Sequence, residues 1–158
     1  MFSRTSSTDA GRSTCDRRAP PVLALSARFE AAAAGGIPIV KSLRESFIAH
    51  GVHAVRGILN GTCNYILTQM EASGLDFAEV LAEAQRLGFA EADPELDVGG
   101  GDTAHKLAIL SSLAFGVKPD LHHMSVEGIG HITYEDIGFA REFGYRIKLL
   151  GITRQTPM

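Results

Sequence analysis

This sequence predicts an α/β fold, on three observations. Segments with apolar residues at helical spacing alternate with short aliphatic runs bounded by Gly and Asn. The alternation starts only near Phe29, after a leader with no apolar period. The 158 residues, 45% of them hydrophobic with mean hydropathy +0.07, suffice for one domain with a sizeable core.

Taken in order, Met1 to Arg28 is rich in Ser, Thr and Arg and is expected to be disordered. Its composition fits an organellar transit peptide or an out-of-frame start, and it stays outside the fold in either case. Residues 29–158 form the domain. The small-residue run after Glu30 leads to Pro38, a favoured first residue of a helix expected to reach Ala49. His53 to Leu59 reads as a strand between Gly51 and Asn60-Gly61. Asn60 then caps a helix that ends near Gly74, making a βα unit. Asp76 and Glu79 spell a capping box for a helix stopped by Gly88. Phe89 to Gly101 is acidic and Gly-rich, and Asp102 to Phe115 is an apolar helix ended by Gly116. Ser125 to Ile129 reads as a strand, Thr133 to Asp136 caps a helix through Phe143, and Tyr145 to Ile152 alternates like a strand.

Fifteen Lys+Arg against eighteen Asp+Glu give a net charge of −3, which offers no basic field to nucleic acid or an anionic membrane. No stretch reaches the length of a spanning helix, and no secretory signal opens the chain. Cys15 and Cys63 make neither a disulfide framework nor a metal cluster, so a reducing, cytoplasmic setting is expected. His122, His123 and His131 lack ligand spacing. Asn60-Gly61-Thr62 is formally a glycosylation acceptor, read as coincidental without a secretion signal. Gly99 to Gly101 follows no strand in GxGxxG form, so it is no nucleotide fingerprint.

The chemistry concentrates in EADPELDVGGGDTAHK, Glu91 to Lys106, where Glu91, Asp93, Glu95, Asp97 and Asp102 precede a lysine. Asp102 and Lys106 stand i, i+4, so a helix brings them onto one face. Exposed, such a pair contributes only a few tenths of a kcal/mol. Extending that face reaches Ile109, Leu110 and Leu113, so Lys106 points along an apolar stripe and its ammonium needs a partner. A lysine so placed is suited to proton transfer. The three glycines permit either close approach to a ligand or a flexible loop.

The run Ala84-x3-Gly88-Phe89-Ala90-x2-Asp93-Pro94-x2-Asp97-Val98-x-Gly100-x-Asp102-x3-Lys106 resembles the diagnostic motif of the homoserine dehydrogenases at every defined position. FEAAAAGGIPIVKSLRE, GILNGTCNYILTQM, LAEAQRLGFAEADP and IKLLGI extend the resemblance over about Phe29 to Ile152. It implies a substrate domain with helices packed on one face of a mixed sheet, incomplete here because its remaining strands would follow Ile152. It also implies NAD(P)H-dependent reduction of L-aspartate 4-semialdehyde to L-homoserine, in threonine, methionine and isoleucine biosynthesis. Lys106 would donate the proton and Asp102 would orient it. Glu91 and Asp97 would bind the substrate's amino end, and Gly61 and Thr62 would line the pocket. Glu30, with main-chain oxygens of Ala33, Gly35 and Ile37, would hold a sodium ion. In the family the cofactor domain precedes the Glu30 segment, where this sequence has its unrelated leader, so activity of the chain alone is not expected. A family-like homodimer is the implied assembly. Two other readings stay open at this point, a non-catalytic oligomerisation module and a truncated gene product.

Overall fold

The computed structural model describes residues 33–47 and 51–155, so the leader, Glu30 and the end of the first expected helix lie outside the described residues. The class is α/β, with helices around a small antiparallel sheet. Pro38 opens a single helical turn, α1 (Ile39–Lys41), that widens into a π-helical turn, Ser42–Ser46. Strand β1 (Ala54–Gly57) leads through Asn60 into α2 (Gly61–Ser73). Next come α3 (Phe77–Arg86), the one-turn α4 (Glu95–Val98), α5 (Gly101–Phe115), α6 (Tyr134–Glu142) and β2 (Gly151–Arg154).

The helix ends follow the expected chemistry. Asn60 Oδ1 accepts from the Cys63 N–H at 2.8 Å, and Gly74 ends α2 in the left-handed conformation. The Asp76 N–H donates to Glu79 Oε2 at 3.3 Å in the α3 capping box. Thr133 and Asp136 close a full box over α6. The helix α4 was not foreseen. Asp93 Oδ1 accepts from the Glu95 N–H at 3.3 Å, which starts a turn inside what reads as an acidic loop.

The strands differ more from expectation. Among the described residues the sheet is the antiparallel pair β1–β2, with Ala54 opposite Arg154 and Gly57 opposite Gly151. The segment Ser125 to Ile129 forms no strand, and Tyr145 to Ile152 joins the ladder only from Gly151. An extended segment becomes a strand only where another strand takes its N–H and C=O groups, and β1 supplies four residues. Ile147 and Leu149 instead pack against the larger core.

That core joins Ile66, Leu67 and Met70 of α2 to Val80 and Ala84 of α3, Val98 of α4 and Ile137 of α6. Fully burying each of its large aliphatic side chains contributes about 1.5–3 kcal/mol. A smaller core sets Val40, Leu43 and Leu110 against Val55 and Leu59. Asn60, between Leu59 of the second core and Cys63 of the first, is 3% exposed and sits at the seam. Helix α5 packs against both strands, and Asp102 and Lys106 in its first turns reach the same seam.

The glycines before α5 have a definite task. Gly100 has φ +85° as the α5 N-cap, and a Cβ there would stand 3.1 Å from both Glu127 O and Val126 Cγ1. A Cβ on Gly128 would collide with Val98 O, while the Ile129 N–H donates to that same oxygen at 2.8 Å. The close approach suggested by the glycine run is therefore to another chain segment, which anchors α4 and the start of α5.

Candidate active site

Three elements bring the polar groups together. Asp97 comes from α4, Asp102 and Lys106 from the first two turns of α5, and Leu59 and Asn60 from the β1–α2 junction. The Lys106 Nζ donates to Asp102 Oδ2 at 2.7 Å and to the Leu59 carbonyl at 3.1 Å. The expected i, i+4 pair is thus formed, and its side chains are only 25% and 23% exposed, so it is not a freely solvated surface pair. Leu59, expected to end the strand, lies beyond the ladder and its carbonyl serves the lysine. An ammonium carries three N–H donors. Two are used here, and the third has no partner among the described residues.

Asn60 was anticipated only as a helix cap. Its Nδ2 also donates to Asp97 Oδ1 at 2.7 Å and to Asp102 Oδ2 at 2.9 Å. The signal for this role in the sequence was faint: any of several residue types caps a helix, and only the unspent amide hydrogens of Asn, placed before a distant acidic cluster, hint at more. Beneath the carboxylates, the Cys63 Sγ donates to the Asp97 main-chain oxygen at 3.2 Å. Burial, then the charges of Asp97 and Asp102, push that thiol up to about 12.

The other expected residues divide. Gly61 lines a cavity of about 660 Å³ together with Lys106, Asn60, Asn64 and Leu110, and Gly35 and Ile37 line it too. Thr62 Oγ1 donates to the Phe89 carbonyl at 3.0 Å, tying the start of α2 to the loop before Glu91. That loop is held again by Gln85 Nε2, which donates to the Glu91 carbonyl at 3.0 Å. The Glu91 side chain is exposed and is not joined to the carboxylate cluster. Ala33 is fully buried, whereas Glu30 lies outside the described residues. Among the described residues no group of three or more His, Cys, Asp or Glu side chains could hold a metal.

Chemically, the arrangement presents one ammonium proton at a cavity with largely aliphatic walls, and a pair of carboxylates joined to the lining residues Lys106 and Asn60. It suits a small ligand with an oxygen to protonate or deprotonate and a positive group to neutralise.

The family model described as homoserine dehydrogenase matches residues 38–157. A homoserine dehydrogenase of Neisseria gonorrhoeae is 53% identical over 129 residues, covering 82% of this chain and 30% of that protein. One of Methanocaldococcus jannaschii is 45% identical over 124 residues, covering 78% and 37%. Among solved structures, a homoserine dehydrogenase from Thiobacillus denitrificans superposes with a TM-score of 0.79 at 54% identity, covering 81% of this chain and 30% of that one. One from S. aureus gives 0.70 at 44% identity, covering 78% and 30%. The chain spans about 30% of the length of the first of these curated relatives.

Proposed function

Since the chain belongs to the homoserine dehydrogenase family, we propose that the Asp102–Lys106 site binds L-aspartate 4-semialdehyde and L-homoserine and carries the proton transfer that interconverts them. The observation that carries this reading is the Lys106 ammonium, held by Asp102 and the Leu59 carbonyl at a cavity wall with one N–H uncommitted.

In the reducing direction the aldehyde oxygen gains negative charge as its carbon is reduced, and a donor beside it lowers the barrier. Lys106 Nζ supplies that proton, a contribution of about 10²–10⁴-fold for general acid catalysis. Asp102 aims the ammonium. Asp97, whose Oδ2 has no partner among the described residues, receives the substrate's ammonium group together with Glu91, whose exposed side chain stands apart from the cluster. Gly61 lines the cavity, and Thr62 follows it at the start of α2, tied to the Phe89 carbonyl.

NAD(P)H, the family's cofactor, is the hydride source for this chemistry. The described residues do not fit it: no glycine-rich turn joins a strand to a helix as a phosphate cradle, and β1 runs into α2 through Ile58-Leu59-Asn60. No step is therefore assigned to a nucleotide on these residues. A monovalent cation on Glu30 and the carbonyls of Ala33, Gly35 and Ile37 belongs to the same proposal. Its support is that Gly35 and Ile37 share the cavity with Lys106.

The test is a graft. Residues 38–157 placed into the matching segment of the Neisseria gonorrhoeae relative should support NADPH oxidation with aspartate semialdehyde. Lys106→Met in the graft should lower kcat by about 10²–10⁴-fold with the melting temperature little changed. Turnover undiminished by that substitution would remove Lys106 from the role.

A further inference from the structure

We infer that Asn60 is the positioning residue of this site: its side-chain amide binds both carboxylates and thereby aims Lys106. The inference rests on the functional reading above for its ligand, and on geometry alone for the rest.

Capping α2 requires only an acceptor, and Asn60 Oδ1 meets that need at the Cys63 N–H. Ser, Thr or Asp would cap as well. What Asn adds is an NH2 group with two hydrogens, and two carboxylate oxygens lie within 2.7 and 2.9 Å of it. Asp97 and Asp102 come from different helices and repel each other, so the shared donor is what holds them side by side.

The connections also close a ring. Leu59 and Asn60 are consecutive, and Lys106 is tied to the first directly and to the second through Asp102. The ammonium direction is thus set from two points on one dipeptide. That dipeptide is fixed in turn by the Asn60 cap and by burial, since Asn60 is 3% exposed. Without the amide donors, Asp102 keeps only Lys106 among these partners, and Asp97 loses its side-chain anchor.

Two substitutions in the full chain separate this role from capping. Asn60→Ser keeps a capping acceptor and is too short to reach either carboxylate. Asn60→Asp keeps size and acceptor, removes the N–H donors and sets a third negative charge against the two carboxylates. In both, the Cys63 amide should retain its protection from hydrogen exchange. The side-chain NMR signals of Asp102 and Lys106 should move, and L-homoserine should bind about tenfold more weakly, as expected for loss of a buried hydrogen bond to a charged group. Unmoved signals with unchanged binding would reduce Asn60 to a cap and overturn the inference, and so would signals that move only where Cys63 protection is lost. A parent chain that binds no L-homoserine, with the signals still displaced in the variants, would sink the proposed function and leave the positioning role standing.

Discussion

Cys63 reports on the carboxylates from below. It is fully buried, its Sγ donates to the Asp97 carbonyl, and its thiol is pushed up to about 12 by burial and then by the charges of Asp97 and Asp102. The thiolate is the nucleophile, so at neutral pH this residue should be inert. Iodoacetamide labelling read by peptide mapping should find Cys63 unmodified in the native chain and modified in denaturant, and rapid native labelling would contradict the electrostatics described. At this scale the Asp102–Lys106 pair was legible because helical spacing alone places i and i+4 together. The Asn60 bridges span 37 and 42 residues of sequence, and no local pattern encodes them. Glu91, anticipated on the same acidic run as Asp97, stays in solvent, since the turn of α4 directs Asp97 to the seam.

Helix α6 shows how an element's stability depends on its first turn. Asp136 accepts from both the Thr133 N–H and its hydroxyl, and these bonds hold its carboxyl below the usual 3.8. The unfolded chain therefore takes up the proton more readily than the folded one. The stabilisation is complete above the unfolded value and is lost as pH falls through the native one. Acid unfolding followed by circular dichroism should begin at higher pH in Asp136→Ala, and Thr133→Ala should cost about 1 kcal/mol near neutral pH, as caps usually do. An unshifted acid transition would mean that α6 is held by Ile137 packing alone. Helices were readable as elements because their caps and apolar periods are local. The expected strand at Ser125 to Ile129 was not realised, and that at Tyr145 to Ile152 only from Gly151, because a strand needs a partner and a single segment cannot show whether one exists.

Across the whole molecule the described residues converge on one polar cluster, between α4, α5 and the β1–α2 junction. They hold the Lys106 ammonium and the carboxylates of Asp97 and Asp102 together and supply no phosphate cradle for a dinucleotide. No helix among them is long and apolar enough to cross a membrane. Residues 1–158, assayed by themselves, should bind L-homoserine in a calorimetric titration and show no NADPH oxidation with aspartate semialdehyde. Turnover by this chain that Lys106→Ala abolishes would place a nicotinamide site where none has been assigned.

The sequence by itself determined the α/β class, the helix boundaries set by Asn60, Asp76, Thr133, Gly74 and Gly116, and the pairing of Asp102 with Lys106. These depend on contacts within a few residues, which spacing and side-chain type specify. Only the tertiary structure decided that Gly100 and Gly128 lock α5 to a neighbouring loop, that Leu59 turns its carbonyl to Lys106, and that Asn60 binds two carboxylates at once. Each of those joins residues far apart in the chain, and such contacts exist only once the two cores have brought their elements together.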